Sequence, residues 1–371
     1  MQFTFDEDQR LAAQSLRDLL DDLCTGADLR RAAEARDAAS FKAACATRRE
    51  RIKELGFDAA LVPEAQGGLG LHPVDLVLLA EEAGRAALPE PLVETAGVAL
   101  PLLASLAALD PRADAVLQAA IGGAGIALRW LHSDLVVGID TADFVLTADS
   151  ETSLALYSVD QFELIARESV DPLRRLTQLR ARVVEPIAVS RDASIPSLWR
   201  EARRYAAVFD AAQLIGLADR LNALAVAYSL ERKQFGKAIG ANQAVKHQLA
   251  NVQIKIEFAR PVVYSAAGSL GGGLSPPTDM DASWLEARVA HAAIAARDAA
   301  DLAARTAIQV HGAMGYSWEL DLQFYAKRSW ALSGLHGGRS VHFRSLHEAL
   351  MQQRIELGPD QLFGRSLPRG A

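Results

Sequence analysis

Leu16, Leu19, Leu20 and Leu23 fall three or four positions apart in a stretch otherwise rich in Asp, Arg and Gln. That spacing puts them on one face of a helix, and Asp6 followed three places later by Gln9 predicts a capping box that starts it. Residues 38–55 continue in helical style; Pro63, Gly67, Gly68 and Gly70 then predict an ordered loop, with a new helix beginning near Pro73. From about Ile121 to Val189 the period falls to two. Leu179, Ala181 and Val183 alternate with Gln178, Arg180 and Arg182, and Ser153–Val159 reads as another strand. Antiparallel strands with one wet face are expected. Gly122, Gly123 and Gly125 lack the βαβ setting of a dinucleotide-binding turn and read as a plain turn before a strand. Pro186 and Pro196 close the segment. Helical periods return from Leu198 to the C-terminus, with Gly271, Gly272, Gly273, Pro276 and Pro277 as a flexible connection between two helices.

Helices, a small sheet, then helices again predict an α+β fold with segregated layers. The expected domains are a helical one over residues 1–118, a β domain over 119–192 and a helical bundle over 193–371. Composition narrows the chemistry. With 39 basic and 46 acidic side chains the net charge is −7, so no global basic field recommends nucleic acid as a partner. Cys24 and Cys45 are the only cysteines, which excludes a disulfide framework and a four-thiolate metal site and fits a cytoplasmic protein. His342 and His347 stand off a common helical face, and no other group shows zinc-ligand spacing, so no metal is expected. The opening MQFTFDEDQR lacks the basic start and apolar core of a signal peptide, and apolar stretches are expected to break before the roughly 18 residues of a membrane span.

The strongest chemical signal is Ser229–Ala250, SLERKQFGKAIGANQAVKHQLA. Leu214, Leu217, Leu221, Leu224 and Tyr228 predict one buried helical face that runs into it. Arg232 then sits at the helix end, beside Gln234, Phe235 and Gly236, free to point a two-pronged guanidinium at an anion; alone, such an arginine reads as solvated. A second motif, Gln309–Tyr316 (QVHGAMGY), offers Gly312 and Gly315, where a missing Cβ lets backbone approach a phosphate or ribose, or simply lets a helix turn. His311 reads equally as a core histidine. Together the two motifs, with nearly the whole chain, resemble the acyl-CoA dehydrogenase family of flavoproteins. The resemblance implies a helical domain, a small β domain and a C-terminal four-helix bundle. It also implies that Arg232, Gln234, Phe235, Gln309 and Gly312 contact FAD held by a neighbouring subunit.

Departures from the family sharpen the expectation. Ala127-Leu128-Arg129-Trp130 passes almost directly to Leu135-Val136-Val137, so the family's Thr-Glu-Pro…Gly-Ser-Asp stretch, which contacts the flavin ring and the thioester, is missing. Ala313 replaces a family glycine. The glutamate that removes the α-proton is absent from both family positions: the gap-free register through Gln309 and Glu319 places His336 at one, and the register through Gly216 and Arg232 places Ala206 at the other. The resemblance therefore implies the non-catalytic subunit of a heteromeric α2β2 acyl-CoA dehydrogenase, sharing FAD with a homologous catalytic subunit. An acyl-CoA substrate, often a steroid side-chain thioester, and an electron-transfer acceptor complete that expectation. Two rivals stay open: an active homomeric enzyme with His336 as base, since a neutral imidazole accepts a proton near neutral pH, and a flavin-free binding or scaffold homologue.

Overall fold

The computed structural model describes residues 4–181, 184–272 and 282–352. Two compact units form, one from residues 15–71 and 87–206, the other from residues 1–14, 72–86 and 207–371. Helix α1 (Glu7–Leu23) opens on the expected capping box: the Gln9 amide donates to Asp6 Oδ1 at 2.8 Å and the Asp6 amide to Gln9 Oε1 at 2.9 Å. Leu16 and Leu20 are fully buried. Helices α2 (Gly26–Glu34) and α3 (Ala38–Glu54) use the same device, Thr25 with Asp28 and Asp37 with Ser40. The Gly-rich loop is ordered for a steric reason. A Cβ on Gly68 would lie 2.2 Å from the Val62 carbonyl oxygen, and the Gly70 amide donates to that same carbonyl at 2.8 Å.

Residues Leu92–Leu109, formed by α5 (Leu92–Glu94), a π-helical turn over Thr95–Ala99 and α6 (Leu100–Leu109), correct one expectation. This segment is long and apolar enough to cross a membrane, despite Glu94 and Pro101, and 67% of it is buried inside the protein. Its Leu100, Leu103 and Leu106 join Leu117, Leu146, Leu156 and Trp199 in one apolar core. Helix α7 (Asp114–Ile121) ends at Gly122, and the three-glycine stretch is the turn before β1 (Ile126–Leu128). The β region forms two small sheets. β1, β3 (Phe144–Thr147), β4 (Leu154–Ser158) and β7 (Ala188–Ser190) make one; β2 (Leu135–Val137), β6 (Leu176–Ala181) and β5 (Phe162–Arg167) make the other. Two details depart from the expected antiparallel sheet with a wet face. β1 pairs with β3 in parallel, Ile126 opposite Phe144, because the chain crosses through β2 in the other sheet before returning. Residues Leu154 to Tyr157 of β4 are buried on both faces. Arg182 and Val183, the end of the expected alternation, lie outside the described residues, as do Gly273, Pro276 and Pro277 of the expected connection.

Helix α8 (Ile195–Glu231) runs for 37 residues with Pro196 in its first turn, where a missing amide costs nothing. The second unit takes α4 (Pro73–Arg85), the later part of α8, α9 (Gln243–Ser269), α10 (Ala282–His311), α11 (Leu322–Ser333) and α12 (Gly338–Met351). α4 and α8 meet backbone to backbone: a Cβ on Gly216 would lie 1.9 Å from the Glu81 carbonyl, and one on Gly84 2.1 Å from the Gln213 carbonyl. Glu81 then reaches α9, accepting from Arg260 Nε at 3.0 Å and Tyr264 Oη at 2.6 Å.

Candidate functional site

Ser229–Ala250 folds as a helix end, a hairpin and a helix start. Arg232 closes α8 by donating its amide to the Tyr228 carbonyl at 2.9 Å; β8 (Lys233–Gln234) and β9 (Lys237–Ala238) then pair antiparallel. Phe235 (φ 51°) and Gly236 (φ 79°) form the tip, both left-handed, the conformation a two-residue turn needs to match the twist of its strands. The hairpin lies against the helix that precedes it, since a Cβ on Gly240 would stand 2.8 Å from Ser229 Oγ. Its candidate site side chains face outward. Arg232 and Gln234 are exposed, Phe235 is 98% exposed, and the Arg232 guanidinium has no ion-pair partner among the described residues.

The second motif ends α10 at the same place. His311 is buried, and its ring stacks on Tyr228 with centroids 4.3 Å apart. Its Nδ1 lies 2.7 Å from the Ala307 carbonyl, so Nδ1 carries the proton; burial lowers the imidazole pKa and keeps the ring neutral. The core reading of His311 is thus the correct one. Tyr228 lies four residues before Arg232 and His311 one before Gly312, so this one stack holds both motifs together. Gly312 (φ 61°) is exposed, and a Cβ there would meet nothing within 4 Å, so space does not require the glycine but the left-handed backbone favours it. Gln309 is exposed beside it. Tyr316 and Trp318 extend this surface, with Lys327 Nζ 3.6 Å above the Trp318 ring. No spacing rule in the sequence marks either Tyr228 as the joint between motifs or Trp318 and Lys327 as a pair.

Of the two positions where the resemblance places the base, Ala206 is buried and His336 is partly buried. Ala206 is a buried alanine on α8, with no group that accepts a proton. His336 lies between α11 and α12 in a turn whose residues His336, Gly337 and Gly338 all have positive φ. Sequence suggested nothing to orient this ring. Asp210 does so: one helical turn beyond Ala206 on α8, it accepts from His336 Nε2 at 3.1 Å. Arg297 on α10 donates to the Leu335 carbonyl at 3.0 Å, and His342 on α12 lies within electrostatic reach of Arg297, His336 and Asp210. Among the described residues no His, Cys, Asp or Glu cluster is arranged to hold a metal.

Residues 6–107 match the description "Acyl-CoA dehydrogenase, N-terminal domain" and residues 205–351 "Acyl-CoA dehydrogenase, C-terminal domain". A curated relative, acyl-CoA dehydrogenase IpdE2 of Mycobacterium tuberculosis, is 36% identical over 277 residues, covering 75% of this chain and 78% of that protein. The chain belongs to the acyl-CoA dehydrogenase family. Solved structures agree on the acyl-CoA dehydrogenase fold. A variant of the Tcur3481-Tcur3483 steroid ACAD superposes with a TM-score of 0.73 at 20% identity, over 94% of this chain and 98% of that one. The ChsE4-ChsE5 complex from Mycobacterium tuberculosis gives a TM-score of 0.73 at 19% identity, over 95% and 99%. At the two positions where the resemblance places the family's glutamate, this chain has Ala206 and a histidine, His336, tethered to Asp210.

Proposed function

We propose that this chain is a subunit of an FAD-dependent acyl-CoA dehydrogenase that desaturates an acyl-CoA thioester between its α and β carbons, and that it completes the FAD site of a homologous catalytic chain without supplying the base. The carrying observation is the outward-facing set Arg232, Gln234, Phe235, Gln309 and Gly312, drawn together by the Tyr228–His311 stack. A guanidinium that is exposed and has no ion-pair partner among the described residues, together with an open left-handed glycine, fits a phosphate group that arrives from outside the chain. Bound FAD supplies the hydride acceptor. Arg232 neutralises and orients phosphate oxygens, Phe235 offers an aromatic face, and the backbone at Gly312 allows close approach. The tight Arg129–Asp134 connection between β1 and β2, folded by bonds from Arg129 Nε and the Arg129 guanidinium to Ser133 and Asp134, leaves no room in sequence for the family's own flavin-contacting stretch.

The same reading extends to a soluble electron-transfer acceptor, a cytoplasmic setting and a steroid-derived acyl group, the last supported by the steroid ACAD among its structural neighbours. Expressed alone, the chain is expected to purify with little FAD; co-expressed with its catalytic homologue it should give a yellow complex of both subunits. Stoichiometric FAD on the folded lone chain would falsify this. One observation favours a second reading, an active enzyme with its own base: Asp210 orients the His336 ring, as a carboxylate orients the histidine of other acid–base pairs. His336→Ala separates the two. Turnover per bound FAD in the mixed complex should stay within about twofold, whereas loss of a positioned base costs about 10²–10⁴.

A further inference from the structure

The turn from Leu335 to Gly338 combines features that its sequence does not announce. His336 (φ 52°, ψ 34°) and Gly337 (φ 85°, ψ 4°) are left-handed in succession, and Gly338 follows with a positive φ of 64°. Two glycines accept that course freely; a histidine does not. The turn is gripped from two directions. Asp210 on α8 accepts from the His336 ring at 3.1 Å, and Arg297 on α10 donates to the Leu335 carbonyl at 3.0 Å. Both gripping side chains are deeply buried, Asp210 at 5% exposure and Arg297 at 4%. Gln213 Nε2 supports the carboxylate at 3.3 Å, holding its other oxygen. α12 starts directly from this turn, and its own His342 lies among the same groups. Backbone strain persists only where surroundings enforce it.

We propose that Asp210 and Arg297 form a two-point clamp that holds the Leu335–Gly338 turn in its left-handed course and so sets the start of α12, with the His336 ring as the handle. The position that the family resemblance gives to the catalytic glutamate is thereby used as an anchor. This deepens the proposed non-catalytic role by stating what His336 does there. The clamp itself lies within one unit of one chain, so it can be tested without the partner.

The measurement is hydrogen exchange of the backbone amides of residues 334–342 in the full-length chain. Asp210→Ala should speed their exchange at least about tenfold, while amides of α8 near Leu217 keep their protection. Asp210→Asn, which retains an acceptor oxygen, should lose less. His336→Gly should melt at a higher temperature than His336→Ala: both lose the handle, but only glycine adopts the backbone without cost. Arg297→Met should loosen the same amides from the other side. Unchanged exchange in a folded Asp210→Ala chain, or His336→Ala as stable as His336→Gly, would overturn the clamp. In the mixed complex, an Asp210→Asn loss of turnover with an altered pH profile and normal exchange would equally overturn it, because the pair would then be an acid–base dyad.

Discussion

His342 holds its imidazole in a buried setting beside Arg297 and His336, and its pKa is pushed down from 6.5 to about 4, first by burial and then by those neighbours. The sign of the consequence is fixed. The unfolded chain binds a proton near 6.5 and the folded chain only near 4, so stability is fully present above the higher value and is lost as pH falls between the two. Melting temperature should therefore drop over that window, and His342→Phe should flatten the drop; an unchanged pH profile in the variant would remove His342 from the account. Residues of this kind were the least legible in sequence. Arg232, Phe235 and Gly312 announced themselves through motif context, whereas Asp210 and Arg297 are ordinary charged residues in long helices. Asp210 meets His336 across an interval of 126 positions and Arg297 meets the Leu335 carbonyl across 38, where no local pattern reaches.

Elements were far more legible, because their signals are local. The Asp6–Gln9 box, the turn at Gly122 and the helix at Pro73 all depend on neighbours within a few residues. The hairpin at Lys233–Ala238 was visible only as a break, since a strand of two residues carries no period. The parallel pairing of β1 with β3 escaped for a different reason: alternation reports which face is buried, not the direction of the neighbouring strand. Crossing helices offer a direct check at this scale. Gly216→Ala places a methyl 1.9 Å from the Glu81 carbonyl, a backbone atom that no rotamer change can move away. It should destabilise the protein by at least about 3 kcal/mol in chemical denaturation. An effect within about 0.5 kcal/mol would mean that α4 and α8 do not meet at this glycine.

For the molecule as a whole, the acyl-CoA dehydrogenase fold was legible from two motifs and the order of helices and strands, and the family relationship bears it out. The assembly is the larger proposal, because a residue whose work is done on a neighbour looks idle in its own chain. Under that proposal Arg232 is such a residue: it is exposed just past the end of the 37-residue α8 and has no ion-pair partner among the described residues. FAD dissociation from the mixed complex is the measurement that decides, with assembly checked by size and subunit ratio. Arg232→Ala is expected to weaken FAD binding by about ten- to a hundredfold, the scale of a charge-assisted two-pronged contact, and Arg232→Lys to recover only part of it. Unaltered FAD affinity and turnover in an intact Arg232→Ala complex would contradict the shared site and return Arg232 to the protein surface.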